Sequence, residues 1–169
     1  MSEQKWLDGY SGQTTDELIR LQGEYRTDSV VLAFEQALDQ KAERMGQDSL
    51  TVEEKVVLAI EGLEREVNNG GYDQFFINSS KEYAPIVVDA LDRIGCADAA
   101  LLTQQAINAL GIKGQITVEA IDRIMEDEST ERDERLEEDN ERYYEIVGDL
   151  AGPLLEFIKK NKDKITVTR

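Results

Sequence analysis

Apolar residues in this chain recur three and four positions apart, and no segment of useful length alternates apolar with polar. A strand needs a period of two and a helix one of 3.6. The periodicity therefore directs the chain to the all-α class. The two prolines, Pro85 and Pro153, both fall where a first helical turn accepts them. Thr14-x-x-Glu17 and Thr51-x-x-Glu54 are capping boxes. Thr117, and either Asp28 or Ser29, can cap further helices. Gly46, Gly95 and Gly111 close others. The reading is eight to nine helices in a single compact domain over 14–163, after a flexible 1–13 and before a basic tail, 164–169.

The helix after Thr51 carries Val52, Val56, Val57, Ile60, Leu63 and Val67 on one stripe. It should stop at Asn68-Asn69-Gly70-Gly71, where asparagine and glycine tolerate a left-handed backbone. A short helical re-entry from Tyr72 to Asn78 follows, then helices over 83–94 and 97–110, an acidic helix within 119–150, and a last helix over 153–163.

Charge removes several function classes. Nineteen Lys and Arg oppose 36 Asp and Glu, a formal −17. Setting aside the basic last eleven residues leaves 14 against 35, or −21. Such a body repels nucleic acid and anionic lipid and attracts basic surfaces. There is no histidine, so the usual general base and the commonest metal ligand are missing. No phosphate-binding glycine loop and no calcium loop is present. The expectation is a non-enzyme with no catalytic residue, no metal and no cofactor. One cysteine, Cys96, excludes an intramolecular disulfide and suits a reducing compartment. The longest clean apolar run, Val56 to Ile60, is far short of the roughly 20 residues of a membrane span. A cytoplasmic location is expected.

The acids are ordered as well as numerous. Asp127, Glu131, Glu134, Glu138, Glu141 and Glu145 recur by steps of 4, 3, 4, 3, 4, one row along a helix. Glu126, Asp133 and Glu137 flank it. The row opposes Leu136, and by the same phase Met125 and Tyr143, so an apolar side can dock while the acids face water. Neighbouring acids stand about 4.5–6 Å apart along the axis, comparable to phosphates along one DNA strand. From Glu126 to Glu145, eleven acids face three arginines over roughly 30 Å. Duplex DNA of that length carries about 18 phosphates. One helix can imitate a strand's face; a duplex would need acids from other helices or a second subunit. The plain alternative is a solvated face with Glu128–Arg132, Glu131–Arg135 and Glu138–Arg142 pairs, serving solubility alone.

The most distinctive stretch is Glu66-Val67-Asn68-Asn69-Gly70-Gly71-Tyr72-Asp73-Gln74-Phe75-Phe76-Ile77-Asn78-Ser79-Ser80. It reads as a helix end, a glycine turn and an aromatic re-entry, with Tyr72, Phe75 and Phe76 as core anchors. Asn68 and Asn69 can satisfy orphan carbonyls or the N–H groups of the next helix. Glu66, the two asparagines, Gly70, Gly71, Tyr72, Gln74, Phe75 and Phe76 are the candidate structural motif. With a following helix ending in Ile94-Gly95 and an alanine-rich helix after it, this block (50–110) resembles the DUF4375 domain family. The resemblance implies an all-helical bacterial protein that forms a homodimer. It implies an acidic surface that occupies the DNA-binding face of a transcription regulator or nucleoid protein. It supplies no contact residues one by one, because the acidic row lies outside the block. The expected function is DNA mimicry, blocking a basic DNA-binding protein without binding nucleic acid or membrane. An immunity or antitoxin-type inhibitor of a basic nuclease would use the same charge.

Overall fold

A computed structural model describes residues 3–168. Among these the chain is all-α, with eight α-helices and no strand beyond two isolated bridges, Lys5–Tyr25 and Gln22–Tyr25. No helix of the described residues is long and apolar enough to cross a membrane. The helices are α1 (Thr15–Arg20), α2 (Thr27–Met45), α3 (Val52–Ile77), α4 (Ala84–Arg93), α5 (Ala97–Ala109), α6 (Val118–Glu126), α7 (Thr130–Ile146) and α8 (Ala151–Lys160). They form two compact units, one of residues 1–61 and 151–169, the other of residues 62–150.

The first unit holds α1, α2, the start of α3 and α8 around Leu18, Phe34, Leu38, Val57, Ile60, Leu154 and Ile158, all essentially inaccessible. Both capping boxes form. The Glu17 N–H donates to Thr14 Oγ1 and the Glu54 N–H to Thr51 Oγ1, while each glutamate accepts from its threonine's N–H. Asp28 and Ser29 are not caps. The α2 N-cap is Arg26, and both residues lie in the first turn because the Ser29 hydroxyl donates back to Arg26 O. Residues 3–13, expected to be loose, carry no helix but are tied to it: the Leu7 N–H donates to Ser29 Oγ and the Tyr10 N–H to Gln36 Oε1.

The basic tail is part of this unit's core. Ile165 and Val167 are buried; Arg169 lies outside the described residues. Glu54 is the fastening. Its side chain is fully buried and paired with Lys41 at 2.7 Å. It also accepts from the Thr166 N–H at 3.0 Å, and Lys41 donates to Thr166 O. Lys162 and Lys164 pair with Asp16 and Glu53.

The second unit gathers the rest of α3 with α4 to α7. Pro85 stands in the first turn of α4, as expected. Tyr72, Phe75 and Phe76 are fully buried with Leu91, Leu102, Ile121 and Leu136. The Tyr72 and Tyr143 rings meet edge to face at 5.8 Å, a favoured aromatic geometry.

Replacing Glu54 by alanine should cost about 3–5 kcal/mol, the usual penalty for leaving one member of a buried ion pair unpaired. Urea unfolding of Glu54→Ala beside Glu54→Gln, which keeps the side-chain volume and an acceptor for one of the Thr51 and Thr166 N–H groups, measures it; the Gln variant should lose less.

Candidate partner-binding face

The acidic segment is two helices, not the single rod expected from Asp127 to Glu145. Helix α6 ends at Glu126, Asp127 is extended (ψ 138°), and Ser129 caps α7 by accepting from the Arg132 N–H. The physical cause is a joint. Arg132, almost fully buried, donates from its guanidinium to Ile124 O at 2.8 Å, sharing with the Asp127 N–H a carbonyl at the end of α6. Asp127 therefore lies off the row. Acids ahead of α7 also complement the positive end of its dipole, which favours a stop over a continuation.

On α7 the remaining row is intact. Glu131, Glu134, Glu138, Glu141 and Glu145 are all exposed, as are Asp133 and Glu137; Glu126 on α6 and Asp127 in the joint are exposed too. Arg132, Leu136, Asp139, Asn140 and Tyr143 form the buried side. The Glu128–Arg132, Glu131–Arg135 and Glu138–Arg142 pairs of the plain alternative do not form among the described residues; Arg132 pairs with Asp133 instead. Around the helix, Arg135, Arg142 and Ile146 lie on one flank of the row, and Asp133, Glu137 and Tyr144 on the other, each about 60–120° from Leu136. The second unit carries 21 acids against 8 bases, a formal −13, while the first carries 15 against 11, or −4.

What holds this helix is the glycine motif. The helical run of α3 breaks at Gly70 and Gly71, where Gly71 adopts φ 82°. Into that break reaches Asn140 of α7. Its Oδ1 accepts from the buried Tyr72 N–H at 2.7 Å, and its Nδ2 reaches toward Asp73 Oδ1 at 3.5 Å. A Cβ on Gly71 would stand 2.3 Å from Asn140 Nδ2. The Tyr144 hydroxyl donates to Val67 O at 2.7 Å, satisfying a carbonyl left open by the break. The Tyr72 hydroxyl is hydrogen-bonded to Thr103 of α5 at 2.9 Å.

Asn140 and Tyr144 thus do the work expected of Asn68 and Asn69. The signal was present: Asn140 is the one uncharged polar residue between Glu131 and Arg142. Glu66 and Gln74 are half-buried and share Asn78 as a hydrogen-bond donor across the turn. Asp139 is the exception among the acids. Burial raises its pKa above the ordinary 3.8, while Arg135 and Arg142 pull it down and Glu138 adds to the rise. Burial, with the charge of Glu64, also pushes the Cys96 thiol up, so it stays protonated.

Fold and face together define an all-helical acidic protein that holds a row of carboxylates on a clamped helix. The DMP19-like protein family matches residues 48–161, and the chain belongs to that family. The match takes in the glycine motif and both acidic helices, α6 and α7. No curated protein and no solved structure matches the chain significantly.

Two outcomes are expected. Gly71→Ala combines a positive φ with a clash against Asn140, and Asn140→Ala leaves the Tyr72 N–H buried and unsatisfied; each should cost about 1–3 kcal/mol by thermal unfolding. Because Asp139 binds its proton more tightly folded than unfolded, its contribution is fully present below about 3.8 and is lost as pH rises through its folded pKa. Asp139→Asn should remove that fall, seen as a melting temperature that rises relative to the parent between pH 4 and 7.

Proposed function

We propose that the chain is a DNA mimic that binds the DNA-binding face of a basic transcription regulator or nucleoid protein and blocks its access to DNA. The observation that carries this reading is the row Glu131, Glu134, Glu138, Glu141 and Glu145, exposed along one side of a helix clamped at its other side. The row spans about 21 Å at helical rise, with neighbours about 4.5–6 Å apart. Membership of the DMP19-like family supports the same reading. Such a partner works in the cytoplasm, and the protein acts there by contact, without catalysis.

Charge density sets the scale of the imitation. Helix α7 carries eight acids against three arginines over about 25 Å. A duplex of that length carries about 15 phosphates. One α7 therefore serves as one strand's face, and a homodimer would present two.

The test begins with capture from lysate at two salt concentrations. Regulators or nucleoid proteins should be held at low salt and released at high salt, because screening cuts exposed electrostatic attraction. A nuclease held instead would favour the inhibitor reading. The captured protein, purified on its labelled duplex, is then challenged with Glu134→Lys/Glu138→Lys/Glu141→Lys. The triple variant should compete at least 100-fold less well while melting within a few degrees of the parent, since exposed substitutions change stability little. Undiminished displacement of DNA by this variant would sink the assignment.

A further inference from the structure

Asn68 and Asn69 contribute nothing to the fold that the fold requires. Both are exposed. Neither side chain hydrogen-bonds to a described residue, and neither backbone is left-handed, since the positive φ falls on Gly71. The open carbonyl of Val67 is taken by Tyr144 and the buried N–H of Tyr72 by Asn140. Asparagine is among the poorer helix formers, so two in succession at this helix end carry a cost that local packing does not offset.

Their surroundings supply a reason. The Tyr144 hydroxyl reaches Val67 O, so its ring, 54% exposed, lies beside the turn. Along α7, Tyr144 stands three residues from Glu141 and seven from Glu137, which puts all three on one side of the helix. Val67 immediately precedes Asn68 and Asn69, so the Tyr144 hydrogen bond brings the two exposed residues near the helix that carries the carboxylate row. An amide offers donors and an acceptor together. That is the mixed edge a base shows in the major groove, and phosphates lack it.

The geometry points to a second, uncharged part of the partner-binding surface: Asn68 and Asn69, backed by Tyr144, engage the polar side chains with which a DNA-binding protein reads base edges. This rests on the DNA-mimic reading above. It gives the charge row a specificity element, since a carboxylate row alone attracts any basic surface.

The test uses the full chain and, as probe, the DNA-binding protein identified in the two-salt capture, purified and bound to a fluorescein-labelled duplex. Asn68→Ala/Asn69→Ala should compete about fivefold to tenfold less well, the loss expected for a small number of hydrogen bonds. The slope of log affinity against log salt should stay unchanged, because no charge is removed. The melting temperature should stay within about 2 °C. Competition equal to the parent's overturns the inference and leaves the mimic reading standing. A melting temperature lowered by more than about 5 °C also overturns it, since the amides would then serve the fold. A parent chain that captures no DNA-binding protein removes both.

Discussion

The structure depends on one hydrogen bond between elements far apart in sequence: the Tyr72 N–H to Asn140 Oδ1, made inside the break at Gly70 and Gly71. A helix break buries backbone groups that must find partners. Here both partners come from α7, Asn140 for the N–H and Tyr144 for the Val67 carbonyl. The approach is so close that no side chain fits at position 71. The same contact decides where α7 lies, and with it which of its sides meets water. Like charges one turn apart oppose a helix by a few tenths of a kcal/mol per pair, which for the four neighbouring pairs of the row amounts to about 1–2 kcal/mol. Burying Leu136 returns roughly 1.5–3 kcal/mol, and the Tyr143 ring adds its edge-to-face contact with Tyr72. Packing on the inner side therefore exceeds repulsion on the outer, and a row of unpaired carboxylates can stand on a folded helix.

Charge is segregated by the same architecture. The lysines near the C-terminus are not a counterweight to the acidic helix. Lys159 pairs with Glu156, Lys162 with Asp16 and Lys164 with Glu53, all within the first unit. Exposed pairs of this kind add little stability, but they cancel charge where they sit. The first unit is left near −4 and the second near −13. A field of one sign steers oppositely charged partners and raises encounter rates, and here about three quarters of the net charge, −13 of −17, comes from the unit that carries the row.

Helix number, the capping boxes, the glycine stops and the outward phase of the glutamates were all legible in the sequence, because each rests on chemistry within one or two turns. Tyr72, Phe75 and Phe76 could be read as core from spacing alone. Two features were not. The joint at residues 127–129 hides because Ser129-Thr130-Glu131-Arg132 lacks the glutamate of a capping box, and its real support is the Arg132 contact with Ile124 O across the break. The clamp hides because Asn140 and Gly71 are 69 positions apart, and no local rule connects a glycine turn with an amide in a distant acidic run. Asn68 and Asn69, adjacent to the turn, drew the role that a remote asparagine performs.

Rigidity is what separates this acidic segment from a disordered acidic tail of equal charge. A tail must lose conformational freedom when it binds, and that loss is subtracted from its affinity. Helix α7 has already lost it on folding, with its inner side fixed to α3 and α5. Its carboxylates are also not symmetric about the row. Arg135 and Arg142 border one flank, while Asp133, Glu137 and the Tyr144 ring border the other. A cationic partner is repelled on the arginine side and drawn to the opposite one, where Asn68, Asn69 and Gly70 are exposed. The electrostatics of α7 thus select an approach direction as well as a sign of charge, which a flexible polyanion cannot do.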